Sequence, residues 1–323
     1  MVTLIVATTT DPASVNPANA LLAMPGWDPS PSCLQDMKGF VNGGGGGVRV
    51  LLHGRGIVEE DDLDKRWEEA TGERVDEVIF LSKHTAVSNR PALTVHPIGI
   101  PHLREGEAGP QGGKPGWAAP PSPRIGPWLR HLKKLAQAHN LVPEFEITLE
   151  GTHHGPVTNT STLFLEIGST DEYWKRQDAA QVMALLVWEG LGLGGEAAVG
   201  NWNGEKDKNK VLLGLGGGHY APRHMDIVLK DGVWVGHLLS GYSLPMEDPN
   251  QSKAETNAKD TKDIGGTWKQ SIKAAFEATQ SAFPGGEVVA HLDQKSFKSW
   301  QKNAITAFLG EQNIKIGKPN DFY

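Results

Sequence analysis

Two short segments of this chain combine histidine with glycine in a way that could support catalysis. Residues 151–156 read GTHHGP, and residues 216–219 read GGGH. Imidazole ligates metals and acts as a general base near neutral pH, while glycine lets the backbone turn sharply and approach a ligand closely. Both segments are therefore expected to line an active site. The predicted catalytic residues are His153, His154, His219, Gly217 and Gly218.

Histidines also end or follow many of the predicted strands. In open α/β sheets the ligand crevice lies outside the carboxyl ends of the strands, so these histidines are expected to meet at one edge of a sheet. Any single one of them can instead be a hydrogen-bonded structural or surface histidine. The histidines at predicted strand ends are His53, His84, His96, His153, His154, His219 and His237.

Imidazoles combined with a carboxylate are the usual shell of a catalytic zinc ion, which keeps one position open for water. Glu166 lies within an otherwise apolar predicted strand, 163–167. The chain has no HExxH or CxxC spacing, so the ligands would have to converge through the fold. The predicted cofactor is zinc, and its predicted ligands are His84, His96, His154, Glu166, His219 and His237.

The glycine-rich segment at 214–219, GLGGGH, admits three interpretations. It looks like a phosphate-binding loop, but it lacks the Lys-Ser/Thr of a P-loop and the GxGxxG that opens a helix. The backbone amides of Gly217 and Gly218 can instead form a nest for an oxyanion. A tight turn after a strand is the third interpretation.

The overall charge argues against a protein that binds nucleic acid over a broad surface. The formal net charge is −7, whereas nucleic-acid-binding domains are typically basic. An RNA partner would have to meet a local basic patch, although such a patch can equally be a solvated helix face. The two basic clusters are Arg130, Lys133 and Lys134, and Lys295, Lys298 and Lys302.

We expect a cytoplasmic protein that is a monomer and does not contact a membrane. Cys33 is the only cysteine, which fits a reducing compartment. Residues 1–7 are predicted to be a first strand rather than a signal peptide, because they lack a basic region and a long apolar stretch. The longest apolar run, Val182 to Trp188, is far shorter than a membrane span. The chain also lacks the GxSxG motif of many serine hydrolases.

Short apolar strands alternate with amphipathic helices, which predicts a layered α/β protein. Capping boxes are predicted at Ser169–Glu172 and Thr267–Gln270. One unit spanning 1–323 is expected, with surface insertions at about 42–47, 106–123, 201–210 and 247–266. The predicted strands are 4–8, 48–53, 77–81, 93–96, 145–149, 163–167, 211–215, 227–230, 233–237 and 288–292. The predicted helices are 124–139, 169–190, 267–283 and 296–309.

Taken in order, the motifs resemble the archaeal and plant type of D-aminoacyl-tRNA deacylase, the GEKO family. They cover nearly the whole chain outside the insertions. Ala86, Asn89 and Ile100 stand where the family pattern has serine, glycine and asparagine. The motifs are PALTVHP at 91–97 after His84, Glu150 with THHGP at 152–156, FLEIGST at 164–170 with Trp174, GGGHYAPR at 216–223, Gly236-His237 with Tyr242, and VVAHLDQKS at 288–296.

This resemblance implies an enzyme that hydrolyses the ester linking a D-amino acid to the 3′ end of tRNA. It also implies zinc as cofactor and a three-layer α/β/α sandwich with a mixed sheet, similar to the phosphorylase and peptidyl-tRNA hydrolase group. Arg223 is expected to contact the terminal phosphate or ribose. The expected substrate-binding residues are Thr152, Gly216, Tyr220 and Arg223.

Two other functions are compatible with the same histidines. A zinc-dependent peptidase or amidohydrolase that acts on small acyl compounds would need no RNA, and its rate would depend only weakly on salt. A non-catalytic RNA-binding module is disfavoured by the acidic charge and by histidines in place of stacking aromatic residues.

Overall fold

The computed structural model describes residues 2–31, 33–44, 47–204, 209–249 and 264–323. The strands are β1 Val2–Thr8, β2 Trp27–Pro29, β3 Lys38–Asn42, β4 Val48–His53, β5 Val75–Lys83, β6 Ala92–His96, β7 Glu146–Leu149, β8 Ser161–Gly168, β9 Lys210–Leu215, β10 Trp234–Leu239, β11 Glu287–Leu292 and β12 Lys315–Ile316. The helices are α1 Pro12–Leu22, α2 Leu63–Thr71, α3 Ile125–Ala138, α4 Asp171–Trp174, α5 Gln177–Gly190, α6 Pro222–Val228, α7 Trp268–Ala282 and α8 Ser299–Glu311.

The large sheet is mixed, with the strand order β2-β3-β4-β1-β5-β8-β6-β7. β4, β1, β5 and β8 are parallel to one another, whereas β6 is antiparallel to β8 and β7 is parallel to β6. The premise that the strands carrying these histidines all run in one direction is therefore wrong, although His84, His96, His153, His154 and His219 still come together. His96, the last residue of β6, lies opposite Phe164 in the middle of β8.

Helices cover both faces of this sheet, as the alternation of its strands requires. In β1, Ile5 and Ala7 face a core shared with α1, α3 and α5, while Leu4 and Val6 face a core that contains Trp67 of α2. The predicted three-layer α/β/α architecture with a mixed sheet is thus confirmed.

A second, parallel sheet has the order β10-β9-β11-β12. Leu212 and Val235 on one face join the core that contains α3, and Val211 and Leu213 on the other face join a core with α7 and α8. The shared core fixes the small sheet against the helical layer of the large one. Residues after β7 and after β9 thereby become neighbours.

One predicted strand is a helix. Residues 227–230 overlap α6, which begins after Ala221 with Pro222 at its first turn, a position that suits proline because its missing N–H needs no partner there. Ile227 and Val228 are buried on one face of this helix. A short apolar run has no periodicity that separates a buried strand from a buried helix.

Both predicted capping boxes are absent, and three of their four side chains bond elsewhere: Ser169 donates through Oγ to the Arg90 carbonyl. The first helix begins after Thr170 without a side-chain cap, and its predicted length divides into α4 and α5. Thr267 donates through Oγ1 to the His102 carbonyl, and Gln270 donates through Nε2 to the Pro101 and Leu103 carbonyls. These bonds tie α7 to the segment that follows β6.

Residues 106–123, predicted to be a surface insertion, pack against the fold over much of their length. Ala118, Ala119 and Ser122 are buried, and Ser122 donates to Glu77 in β5. A Cβ on Gly112 would lie 2.5 Å from the Val58 carbonyl, so glycine permits backbone-to-backbone packing there. Within the insertions predicted at 42–47, 201–210 and 247–266, residues 45–46, 205–208 and 250–263 lie outside the described residues.

Candidate active site

Glu166 lies at the centre of the site. It is 3% exposed in β8, and its Oε2 is 3.6 Å from both His84 Nδ1 and His96 Nε2. His84 directly follows β5, and its backbone amide donates to the Ile167 carbonyl. Three neighbouring strands therefore place these three predicted metal ligands together.

Glu150 is a second buried carboxylate that was not among the predicted site residues. It is fully buried immediately after β7, and its Oε2 lies 2.7 Å from His219 Nε2, 3.1 Å from His84 Nδ1 and 3.6 Å from His153 Nε2. In the sequence, Glu150 could have been recognised as an acidic residue between an apolar predicted strand and the GTHHGP segment. We call these two carboxylates and the five surrounding imidazoles the carboxylate–histidine cluster; its members are Glu150, Glu166, His84, His96, His153, His154 and His219.

The GTHHGP segment connects the two sheets. Gly151 donates its amide to the His219 carbonyl, and Thr152 donates its amide to the Leu238 carbonyl. His154 has a φ of 46°, in the left-handed region that non-glycine residues seldom adopt. The large sheet thus contributes Glu150, and the small sheet contributes His219 through the loop after β9.

Three imidazoles of the cluster use the same ring nitrogen to contact the backbone. The Nδ1 atoms of His96, His153 and His154 contact backbone carbonyls at 3.1, 2.8 and 2.5 Å. A ring that donates through Nδ1 keeps its lone pair on Nε2, which is the usual arrangement around a metal-ligating histidine. The carbonyls therefore set the tautomer that a metal ligand or a general base needs.

The residues of the cluster fit a zinc ion. Three groups of possible ligand atoms lie within 4.8 Å of one another: His96 with His153 and His154, His84 with Glu150 and His219, and His96 with Glu150 and Glu166. His96 Nε2 and both oxygens of Glu150 are buried without a hydrogen-bond partner. The 2.7 Å contact of Glu150 with His219 is thus an ion-pair distance without hydrogen-bond alignment. Unpaired buried acceptors are costly, and a bound cation would satisfy them.

Electrostatics divide the imidazoles into two classes. Burial opposes protonation of His84, but Glu150 and Glu166 outweigh it and raise the pKa of His84 to about 10. Burial lowers the pKa of His154 to about 4 and holds that of His153 well below its ordinary value. At neutral pH His84 carries a charge, whereas His153 and His154 are neutral.

Both carboxylates stay ionised despite burial. Burial acts to raise the pKa of Glu150, but the rings of His96, His219 and His84 hold it well below the ordinary value. Burial and Glu150 likewise act to raise the pKa of Glu166, but His84 and His96 outweigh them. Two negative charges in a buried site favour a cationic occupant or a cationic imidazole.

In the glycine loop, residues 216–218, two of the three glycines use their backbone amides in hydrogen bonds within the fold. Gly216 donates its amide to the Leu239 carbonyl, and Gly217 donates its amide to Ser296 Oγ at 2.6 Å. Both have a positive φ, 95° and 90°, that disfavours other residues. The amide of Gly217 is therefore already engaged, while Gly218 is exposed on open space.

The predicted substrate-binding residues have different surroundings. Tyr220 Oη lies 2.8 Å from His84 Nε2, which places Tyr220 beside the cluster. Arg223 is 44% exposed, with its Nε 3.2 Å from Asp293 Oδ1. Thr152 is fully buried, and its Oγ1 accepts from the Leu238 amide and contacts His237 Nδ1, so Thr152 supports the loop from behind.

His237 and His53 lie outside the cluster. His237 lies inside β10 rather than at its end, and its Nδ1 and Nε2 contact Thr152 Oγ1 and the Ala119 carbonyl. Both nitrogens are therefore in use, in contrast to the prediction that His237 ligates a metal. His53 ends β4 as predicted, but its Nδ1 lies 3.3 Å from Glu60 Oε1.

The cluster opens into a cleft of about 310 Å³. His84, His153, His154, Glu166 and His219 form one part of its lining. The rest of the lining comes from the ends of β1 and β5, from the start of α1, from residues 56–58 and from Gln111. A cleft of this size can hold an amino acid and its ester linkage next to the imidazoles.

Comparison with known proteins supplies the family. The model of the D-aminoacyl-tRNA deacylase family matches residues 71–317. The chain belongs to the D-aminoacyl-tRNA deacylase family. Its resemblance to this family, inferred from the motifs, is confirmed, and with it the prediction of a hydrolase that acts on ester bonds.

Members of the D-aminoacyl-tRNA deacylase family from distant organisms are similar over most of the chain. A D-aminoacyl-tRNA deacylase of Arabidopsis thaliana is 73% identical over 322 residues and covers 100% of both chains. One from Aeropyrum pernix is 31% identical over 77% of this chain and 78% of its own. The crystal structure of a conserved protein of unknown function has the same fold, with a TM-score of 0.74 and 24% identity over 99% of this chain and 96% of that one.

Among the residues that the structure describes, no helix is both long and apolar enough to cross a bilayer.

Proposed function

We propose that the carboxylate–histidine cluster is the site at which this chain hydrolyses the ester of D-aminoacyl-tRNA, releasing the free D-amino acid and tRNA. The observation that carries the proposal is the convergence of five imidazoles and two buried carboxylates at the cleft. Membership of the D-aminoacyl-tRNA deacylase family favours this ester over the small acyl substrates of a peptidase or amidohydrolase.

We propose further that the reaction is assisted by zinc. His96, His153 and His154 would hold the ion through Nε2, since Nδ1 of each contacts a carbonyl. When bound, zinc would polarise the ester carbonyl and lower the pKa of water. The two ionised carboxylates beside these rings would compensate the charge of the ion.

His219 is the group that we propose moves the proton. Glu150 faces its Nε2 at 2.7 Å and can stabilise the imidazolium that forms when Nδ1 takes up a proton from the attacking water by way of the Tyr242 hydroxyl. Nδ1 lies 3.1 Å from Tyr242 Oη, so this hydroxyl can pass the proton to the leaving ribose oxygen. Glu150 thus supplies the negative charge that stabilises an imidazolium, as the acidic member of a catalytic triad does.

The tetrahedral intermediate needs a hydrogen-bond donor for its oxyanion. Gly217 donates to Ser296, which leaves the exposed amide of Gly218 as the proposed donor in this loop. Tyr220 keeps its proton at neutral pH, because burial raises the pKa of its phenol to about 12. It can therefore donate to the acyl group while its oxygen accepts from protonated His84.

The location and the assembly are proposed from less specific features. A single cysteine, Cys33, is compatible with a reducing compartment, which supports the cytoplasm. Every residue of the cluster comes from one chain, so a monomer is sufficient for the reaction.

The experiment that tests the function compares matched substrates. The purified chain is given D-tyrosyl-tRNA and L-tyrosyl-tRNA, and the release of amino acid is followed at low and high salt. We expect rapid release from the D-form only, with a rate that falls as salt rises. Equal rates on both forms would refute the assignment.

Zinc is tested separately by elemental analysis, followed by chelation and return of the metal. His154→Ala should lose both zinc and activity while remaining folded, because it removes one proposed ligand. Full activity in protein shown to be free of metal would refute the zinc mechanism.

A further inference from the structure

Tyr242 differs from the other aromatic residues near the cluster because its ring is exposed. It lies in the turn after β10 and is 51% exposed. Its hydroxyl is fixed by the 3.1 Å contact with His219 Nδ1. One end of the side chain is therefore held at the reacting groups while the ring faces solvent.

The ring forms part of the wall of a second cavity. This cavity has a volume of about 320 Å³ and is lined by Tyr242 together with Pro245, Met246 and Leu103. Arg104 and Glu247 stand at its rim, 62% and 68% exposed and 3.5 Å apart. An aromatic face with apolar neighbours and a guanidinium at the mouth is suited to a nucleotide, whose base is flat and whose phosphate is anionic.

The chemistry of the substrate restricts where its terminal base can lie. The ester oxygen belongs to the ribose of the terminal nucleoside, so the base is one sugar away from the bond that is cleaved. A subsite for the base must therefore adjoin the cluster. The cavity beside Tyr242 meets this requirement, since Tyr242 Oη contacts His219 and is the hydroxyl proposed to pass the proton to the leaving ribose.

We propose that the cavity beside Tyr242 binds the terminal adenosine of tRNA, with the adenine base stacked on the Tyr242 ring. This inference rests on the proposed function, because it assumes that the leaving group is a nucleoside. Fixing the hydroxyl on His219 holds the ring in place before the substrate arrives, which reduces the entropy lost on binding. Arg104 exchanges its exposed partner Glu247 for the 5′-phosphate of the nucleotide.

The test compares Tyr242→Phe with Tyr242→Leu. Both variants lose the hydroxyl contact with His219, and only the second loses the aromatic face. AMP is titrated into each variant by calorimetry, and ribose 5-phosphate is used to separate binding of the base from binding of the phosphate. Tyr323→Leu is the matched control, because Tyr323 is 58% exposed and bonds to Asn320 near the C-terminus.

We expect wild type, Tyr323→Leu and Tyr242→Phe to bind AMP with similar affinity and Tyr242→Leu to bind it about fivefold or more weakly, as stacking of one base implies. Ribose 5-phosphate should bind weakly to all of them. With D-tyrosyl-tRNA, KM should rise by a similar factor from Tyr242→Phe to Tyr242→Leu, whereas kcat should be equal in the two. Equal AMP affinity of these two variants would overturn the inference.

Two further measurements keep the inference separate from the proposed function. AMP protons should show a ring-current shift on wild-type protein, and its absence would overturn the inference even if Tyr242→Leu failed to fold. Failure of the wild type to hydrolyse D-tyrosyl-tRNA would refute the proposed function, and the AMP titration would still decide whether the base subsite exists.

Discussion

Tyr220 and His84, which are 136 positions apart in the chain, are joined by a 2.8 Å hydrogen bond between the phenolic Oη and Nε2. The other nitrogen of His84 faces Glu150 and Glu166 at 3.1 and 3.6 Å. His84 therefore links two buried carboxylates to a phenol that lies beside the cluster. This arrangement connects the loop after β9 to the end of β5.

Tyr220→Phe should lower kcat for D-aminoacyl-tRNA about tenfold and reduce the free energy of unfolding by about 1 kcal/mol. It leaves protonated His84 without the oxygen that accepts its Nε2 hydrogen, and one such bond contributes about that amount. Deacylation kinetics and urea unfolding would measure the two effects. Tyr173→Phe is the control, because the Tyr173 ring packs on Phe145 rather than on the cluster, and an equal loss of kcat in both variants would contradict the role of Tyr220.

Glu150→Gln should reduce kcat at least 100-fold and weaken binding of zinc. The amide keeps the size of the side chain but removes the negative charge that faces His84, His153 and His219. Glu146→Gln on the same segment is the control, because Glu146 is 38% exposed and pairs with Arg90. Activity within threefold of wild type in Glu150→Gln would exclude Glu150 from the chemistry.

Thr152→Val should reduce the free energy of unfolding by about 1 to 3 kcal/mol, because it leaves the Leu238 amide and His237 Nδ1 buried without a partner. Thr94→Val is the matched comparison. Thr94 is equally buried, but its hydroxyl has no hydrogen-bond partner, so this change should be neutral or stabilising. Urea unfolding of both variants measures the difference, and equal destabilisation would contradict the hydrogen-bond argument.

Stability should fall as the pH is lowered from about 6.5 towards 4, because buried neutral histidines resist protonation. Burial and the neighbouring His291 lower the pKa of His224 to about 3, against an attractive contribution from Asp293. A group whose folded pKa is depressed takes up its proton preferentially in the unfolded chain. His224 therefore contributes full stability above pH 6.5 and costs about 1.4 kcal/mol per pH unit below it.

His224→Leu should flatten this dependence on pH. Both ring nitrogens of His224 are buried without a partner, so leucine leaves no hydrogen bond unmade. Urea unfolding at pH 7.5 and pH 5 compares the variant with wild type. An unchanged acid slope would show that the proton uptake belongs to other groups, such as His237, whose pKa burial lowers to about 4.

Of the two basic clusters, the C-terminal one should contact tRNA. Lys295 and Lys298 are exposed beside Ser296, which bonds to Gly217 of the glycine loop. Removing both charges, as in Lys295→Gln with Lys298→Gln, should raise KM and reduce the dependence of log KM on log salt by about one to two. Lys134→Gln on α3 is the control, and an equal effect of this variant would favour a diffuse electrostatic attraction.

Arg130 shows why the other cluster could not be assessed from sequence. Its guanidinium donates to the Val228 and Val233 carbonyls, and burial lowers its pKa. A basic residue on a predicted helix face looks the same in sequence whether it faces solvent or joins two elements. The partner carbonyls, about 100 positions away, lie at the end of α6 and just before β10, which only the fold brings close.

Contacts between residues that are distant in the sequence depend on the fold, and this limit explains which parts of the site could be predicted. GTHHGP and GGGH are local signals, and the sequence predicts β4 with its observed bounds because four of its six residues are valine or leucine. Glu150 was missed because its importance comes from His84 and His219, which reach it from other strands. His237 was included because a lone histidine near a strand end gives no indication that Thr152 and Ala119 occupy both its nitrogens.

The backbone bonds from Gly151 to His219 and from Thr152 to Leu238 make the proposed catalysis depend on how the two sheets are docked. Glu150 follows a strand of one sheet and His219 lies in a loop of the other, so neither sheet contains the proposed proton relay by itself. We expect a slight separation of the sheets to abolish activity while leaving every helix and strand intact. A measurement of activity should therefore detect a change in the docking of the two sheets that a measurement of secondary structure would miss.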